Sequence, residues 1–444
     1  MSVKLSDSVQ SAINKLESAG YLVYVSGRTM RELLMDEAPV SYILVTDAPR
    51  EEINRIFKKT IDGTKKRKLV TVIDNKTAFD IYYPSENSGN DKIRELLFGF
   101  DFTINSIAYN PKTGILDYFG GIKDLEDKKI RFTDASQNMI TERPARMLRA
   151  LRYSAQLGFK VDEDCAQLIK KCSMLIKRAS ADVIREELDK ILMSQNPGVF
   201  LDIHKLGLLR YILPELDVCF FSPQKNKYHI YNVGEHIVNA VMNSHNDPVV
   251  RWAALLHDIG KPECKSVDVN GIIHFYGHHR VSVRLAGDIL RRLKIDSTLS
   301  RDILILIENH DVRIDATPLG VKRMMSRTGA ENFEKLLELQ EADNRAKNMK
   351  YFPDKLIKLN DVRKMYKKII AERHPYRVND LAVTGRDLNK LGFRPGHEIS
   401  DALQALLEEV FIDPGLNNRD YLILKAKLYK KRKSKPNNKP GNRS

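Results

Sequence analysis

Near residue 136 the hydrophobic period of this 444-residue chain changes. From about residue 20 to 135 the pattern mixes strand and helix. YLVYVSG (21–27) and YILVT (42–46) are β-branched and aromatic runs, and KRKLVTVIDNKTAFDIYYP reads as a hairpin around Asp74-Asn75. GILDYFGGIKDLEDKKIRF is expected to add short strands with glycine turns. Beyond 136 the period is helical, through RPARMLRALRYSAQLGF, SADVIREELDKILMS and GVFLDIHKLGLLRYI. Helices continue from about 228 to 350, now rich in His and Asp. HPYRVNDLAVTGRDLNKLGFRPGHEI (374–399) reads as a linker into a last helical unit near 400–430. No internal repeat is visible. A period of two that gives way to 3.6 specifies an α+β class: a mixed head followed by an all-α body.

Bulk properties narrow the classes further. No apolar run approaches the ~20 residues of a membrane span. MSVKLSDSVQSAINKLESAG has the pattern of an amphipathic helix, without the apolar core and cleavage site of a signal peptide. Cys165, Cys172, Cys219 and Cys264 form no CxxC pair, so a disulfide framework is not expected and a reducing cytoplasm is. The net charge is +15. A basic surface kept for solubility is the plainer reading. The charge is unevenly placed, however: KAKLYKKRKSKPNNKPGNRS (425–444) carries many cations and no acid, as a disordered, phosphate-seeking tail would. Nucleic acid is therefore the expected partner.

Four stretches carry a family resemblance: DFTINSIAYNPKTGILDYFGGIKDL, RMLRALRYSAQLGF, GLLRYILPEL and LAVTGRDLNKLGFRPG. From about residue 20 to 430 the chain resembles the tRNA nucleotidyltransferases of the CCA-adding type, which include bacterial poly(A) polymerases. The resemblance implies a nucleotidyltransferase-like mixed α/β head (1–135), a helical neck that binds RNA or nucleotide (136–220), a helical body (221–350) and a helical tail (351–444). It also implies nucleotide addition to tRNA 3′ ends with Mg²⁺ and without a nucleic-acid template.

Several head motifs depart from the family. Its Gly-Gly pair is Ser26-Gly27, and Thr29, Met30 and Arg31 replace Val-Arg-Asp. Ser41 and Ile43 stand where a strand should carry Asp-x-Asp. Side chains at i and i+2 of a strand share a face, so two aspartates there hold two ions together. Serine is a poor Mg²⁺ ligand and isoleucine none. Arg-Arg-Asp-Phe-Thr has become Gly99-Phe100-Asp101-Phe102-Thr103. Glu-Asp-x-x-Arg, whose Asp and Arg read the base, has become Glu142-Arg143-Pro144-Ala145-Arg146. A donor now replaces an acceptor in the base reader. Asp47 has no partner at i+2 and reads as a helix-start residue; Asp80 is a candidate remnant of a third carboxylate. Gly27, Asp101, Arg146 and Arg149 remain as candidate nucleotide- or RNA-binding residues.

The helical body also carries a motif. GEHIVNAVMN, VVRWAALLHDIGKP, HFYGHHRVSVRLAGDIL, DILILIENHD and LLELQEADNRAK resemble an HD-type metal phosphohydrolase domain, patterned His, His-Asp, Asp. The resemblance implies His236, His257, Asp258 and Asp343 as ligands, with His278 and His310 for a second ion. Imidazoles and carboxylates suit Mn²⁺, Fe²⁺, Ni²⁺, Zn²⁺ or Mg²⁺. Such ions lower the pKa of a bound water and polarise a phosphoryl oxygen. His257 and Asp258 are the expected catalytic pair. Lys261 is either a phosphate contact or a solvated lysine at a helix end, with Gly260 as a C-cap signal. A lone histidine on an apolar helix is usually core, but an aspartate inside an apolar run needs a partner. His274 and His279 are expected behind the ligands or at the surface. His204, His229, His245, His374 and His397 are expected to be structural or at the surface.

Three functions compete. The main expectation is a lost transferase site, with the HD domain as a metal-dependent phosphohydrolase (phosphatase or phosphodiesterase) acting on RNA ends or nucleotides. The second is an active CCA-adding enzyme using divergent head ligands. The third is a non-catalytic tRNA-binding protein.

Overall fold

The computed structural model describes residues 5–63, 68–74, 77–86, 88–224, 231–347, 350 and 352–433. The chain divides into two compact units, 1–214 and 215–444.

In the first unit, seven strands form one sheet: β1 (Val23–Ser26), β2 (Tyr42–Thr46), β3 (Thr60–Asp62), β4 (Leu69–Asp74), β5 (Thr77–Tyr82), β6 (Ala108–Asn110) and β7 (Gly114–Leu116). The order is β3-β4-β5-β2-β1-β6-β7. β2 and β5 run parallel, and the other neighbours are antiparallel. Alternating side chains cover both faces. Val23, Val25 and Leu44 pack with Val9, Ile13 and Leu16 of helix Asp7–Ser18. Tyr24 and Val45 pack on the other face with Ile93 and Leu97 of helix Lys92–Phe98. The expected hairpin is β4-β5, although Asn75 lies outside the described residues. The expected glycine turns after β7 hold a helix as well, Gly121–Glu126. Its first residue must be glycine, because a Cβ there would lie 2.2 Å from the carbonyl oxygen of Thr103. Helices Arg146–Leu157, Glu163–Cys172 and Ala181–Leu192 follow, the first closed by Gly158 at φ +70°.

The second unit is helical. Helices Val233–Met242, Pro248–Leu256, His278–Arg292, Ser297–Asn309, Pro318–Thr328, Ala330–Arg345 and Phe352–Ala371 precede the last three, Gly385–Lys390, His397–Ile412 and Arg419–Lys433. One short hairpin, Ser266–Val267 with Ile273–His274, interrupts them.

The structure corrects four local expectations. Residues 374–399 are not a linker, because Leu381, Val383, Leu388 and Phe393 bury their side chains in a core with helix His397–Ile412. The basic stretch from Lys425 begins as helix up to Lys433, and the tail at 434–444 lies outside the described residues. Asp47 does not start a helix; its carboxylate accepts the N–H of Leu22 at 2.7 Å, and the next helix is capped at Pro49. Gly260 is not a left-handed C-cap. A Cβ there would lie 2.6 Å from both the carbonyl oxygen of His278 and the amide of Ser282, so it is a close-packing glycine.

Candidate functional sites: a head cavity and a metal-ligand cluster

A cavity of about 830 Å³ opens in the head unit. Arg28, Lys68, Arg143, Arg149 and Arg152 line it, as does Ile43. Asp101 lies between two arginines: Arg146 Nε donates to Oδ1 at 2.7 Å, and Arg149 pairs with Oδ2. Buried Glu187 then holds Arg149 Nε at 3.3 Å and Arg152 Nε at 2.6 Å. Burial disfavours the Arg149 charge, but Asp101 and Glu187 more than offset that and raise its pKa.

The candidate nucleotide residues therefore separate. Asp101 and Arg149 line the cavity. Arg146 is 7% exposed and turned inward, donating to Met139 O at 2.6 Å as well as to Asp101. Gly27 has φ +69°, and a Cβ there would lie 3.0 Å from Ile43 Cδ1. Ser26 turns inward and donates to Ile107 O at 2.9 Å.

The head strands do not fit a pair of divalent ions. Ser41 lies just before β2 and is exposed, and Ile43 is hydrocarbon. Asp80 pairs in register with Ile43 on the parallel strand, and it accepts the Thr71 hydroxyl at 2.6 Å. Among the described residues, both groups of three or more potential ligands lie in the helical unit.

There the six candidate ligands converge. His236 lies on helix Val233–Met242, and His257-Asp258 follows helix Pro248–Leu256. His278 opens helix His278–Arg292, His310 ends helix Ser297–Asn309, and Asp343 lies near the end of helix Ala330–Arg345. Asp258 joins two groups. Its Oδ2 lies 3.2 Å from both His236 Nε2 and His257 Nε2, and its Oδ1 lies 3.2 and 3.6 Å from His278 and His310 Nε2. Asp343 Oδ1 completes the first group, 3.0 Å from His236 Nε2. All six side chains are buried.

The rings fit divalent ions. Every Nδ1 faces a peptide carbonyl: His236 that of Ala346 (3.3 Å), His257 that of Ala254 (2.8 Å), His278 that of Phe275 (2.9 Å) and His310 that of Ile307 (2.7 Å). Those acceptors hold the proton on Nδ1, which leaves Nε2 as a lone pair. His278 and His310 bring Nε2 atoms within 3.3 Å of each other, and His257 Nε2 is buried without a hydrogen-bond partner. Lone pairs aimed at one another need a cation between them. With protein alone the cluster draws a proton instead. Burial opposes charge on His257, but the Asp258 carboxylate raises its pKa to about 9. Burial likewise opposes the charge of Asp258, but His257 and Lys261 hold it well below the carboxylate range.

A second cavity, of about 350 Å³, reaches Asp258, His278, His310 and Asp343. Lys261 is not a solvated helix-end lysine: it is buried, 2.6 Å from Asp258 Oδ2. His274 stays outside the ligand groups, 2.9 Å from Asp268 and stacked on Tyr276. His229 lies outside the described residues. Sequence reasoning missed Glu187 and Lys347. Glu187 is an acid in the stripe that Leu188 and Ile191 bury; Lys347 pairs with Asp343, four residues earlier. Both spacings were readable.

Comparisons with known proteins match the same segments. The Poly A polymerase head domain matches residues 23–131, the "probable RNA and SrmB-binding site of polymerase A" residues 158–220, and the HD domain residues 227–359. Together they define a nucleotidyltransferase-type head followed by an HD-type helical domain. Over these segments the chain is similar to the tRNA nucleotidyltransferases and poly(A) polymerases. The CCA-adding enzyme of Ligilactobacillus salivarius is 26% identical over 94% of each chain. That of Leuconostoc citreum is 30% identical over 46% of this chain, a match that spans about half of the relative (54%). Among solved structures, the Bacillus stearothermophilus CCA-adding enzyme in complex with CTP has a TM-score of 0.70 at 20% identity, over 97% of this chain and 99% of that one. The Thermotoga maritima CCA-adding enzyme complexed with tRNA has a TM-score of 0.59 at 18% identity, over 96% of each chain. No helix among the described residues is long and apolar enough to cross a membrane.

These findings correct the main functional expectation. A lost transferase site with hydrolysis as the chain's activity does not agree with end-to-end likeness to a CCA-adding enzyme. The physical reason is local. Ile43 removes two possible ligand oxygens, but the fold around it keeps a cation-lined cavity of nucleotide size.

Proposed function

We propose that this chain adds nucleotides to the 3′ end of a tRNA-like RNA, as CCA-adding enzymes do. Its likeness to those enzymes over 94% of both chains is the observation that carries the reading. The cavity supports it. Arg28, Lys68, Arg143, Arg149 and Arg152 offer positive charge to a triphosphate, and Glu187 fixes two of them in place. Tyr82, Phe100 and Tyr153 offer aromatic surface to a base. Nucleotidyl transfer asks a protein chiefly for positioning and charge stabilisation, and fixed guanidinium groups supply both. Arg143, exposed at the cavity, would meet acceptor edges of a base.

The test is incorporation of labelled CTP and ATP into tRNA trimmed of its 3′ end. Incorporation is expected, with KM raised roughly tenfold or more in Arg152→Ala. No incorporation with either nucleotide would overturn the reading.

The helical unit supports a second reading, carried by the six converging ligands: a metal-dependent phosphoester site. His236, His257, Asp258 and Asp343 would hold one ion, and Asp258, His278 and His310 another. Bound ions supply Lewis-acid polarisation of a phosphoryl oxygen and acidify water. The chain's own residues aim the four Nε2 atoms and, in Lys261, place a cation beside the cavity. Metal analysis should find a divalent ion in the purified protein that is lost in His257→Ala while CTP incorporation persists; a metal content unaffected by that change would remove this reading.

A further inference from the structure

The charged groups at the ligand cluster are two acids and two bases. Lys261 Nζ lies 2.6 Å from Asp258 Oδ2, and Lys347 Nζ pairs with Asp343 Oδ2. Asp258, Asp343 and Lys261 are buried, and the Lys347 side chain is 19% exposed. The next charges around Lys347 are Asp311 and Lys355, which are opposite in sign. With the histidines neutral, as ligation of an ion requires, the two aspartates and two lysines sum to zero, the ion's own charge apart. Ligand charge is a main control on how tightly a site holds a divalent ion.

The geometry points to Lys347 as a counter-charge that loosens the hold on divalent ions and makes the loaded site select dianionic phosphate monoesters. The inference rests on the metal-site reading above. Each divalent ion adds two positive charges that the protein leaves unmatched, in a buried place where salt screens little. A phosphate monoester near neutral pH carries about two negative charges and matches one ion. A phosphodiester carries one and matches half. Lys347 suits this role better than Lys261. It binds the Asp343 oxygen opposite the one facing His236, so removing its charge leaves the ligand oxygen in place. Lys261 instead shares Asp258 Oδ2 with two histidines and is also tied to Gln224.

Calorimetry on the full chain tests this. Mn²⁺ is titrated into metal-free wild type, Lys347→Met and Lys347→Arg. Methyl phosphate or dimethyl phosphate is then titrated into the loaded proteins. The methionine variant should bind Mn²⁺ about tenfold tighter and methyl phosphate several-fold weaker, with the arginine variant near wild type in both. Wild type should prefer methyl phosphate to dimethyl phosphate. Unchanged or weaker Mn²⁺ binding in Lys347→Met, or equal affinity for the two phosphates, overturns the inference and leaves the metal site standing. Absence of Mn²⁺ binding in wild type overturns both. Should Lys347→Met fail to fold, the comparison of the two phosphates on wild type still decides.

Discussion

Asp387 illustrates what one carboxylate does in this chain. It accepts the Thr384 N–H and hydroxyl, each at 2.9 Å, and pairs with Arg419, which ties helix Gly385–Lys390 to the last helix. The Thr384 N–H and Arg419 hold its pKa at about 2. The unfolded value is about 3.9, so the folded state favours the ionised form. That stabilisation is complete above about pH 4 and is lost as pH falls toward 2. Asp387→Asn should therefore unfold earlier than wild type in urea at pH 7, and the gap between them should narrow below pH 4. At this scale sequence reading was uneven. His257-Asp258 stood out, because an acid inside an apolar run needs a partner. Asp47 misled, because a carboxylate just ahead of a helix can bind an amide at the entrance to a neighbouring strand instead of capping. The inward turn of Arg146 depended on Asp101, 45 residues away, and no local pattern announces such a pair.

The ligand cluster depends on how closely its helices approach. Gly260 lets the His257-Asp258 turn press against helix His278–Arg292, where Ser282 Oγ accepts its N–H at 2.9 Å. Gly260→Ala would drive a Cβ into two backbone atoms. The expected cost is roughly 1–3 kcal/mol by urea denaturation, with weakened Mn²⁺ binding because Asp258 and His278 move apart. Stability and metal binding equal to wild type would contradict that. The switch of period near residue 136 made the elements readable, and helices and strands fell broadly where it put them. Residues 374–399 misled because polar and turn residues dominate their composition, while four widely spaced apolar side chains do the packing. Helix Gly121–Glu126 was hidden by glycines required by contacts and not by turns alone.

Taken whole, the chain carries +15 of net charge. RNA binding should weaken steeply with salt, as phosphate-bound counterions are released. Titrations of a tRNA transcript at about 50 and 200 mM salt check this, and equal affinities would speak against an RNA partner. The family and general architecture were legible from four quoted segments and one His/Asp pattern. The choice among the competing functions was not. The change at Ser41 and Ile43 is conspicuous in sequence, whereas a cavity of about 830 Å³ assembled from distant arginines is visible only in three dimensions.

The carbonyl anchors behind the four imidazoles have a practical corollary. Since each ring is already pinned by its outer nitrogen, removing and restoring a divalent ion at the proposed site should leave the socket's shape unchanged. Chelator-stripped protein should then reload on simple mixing, without a cycle of denaturation, and one metal should be exchangeable for another within a single preparation.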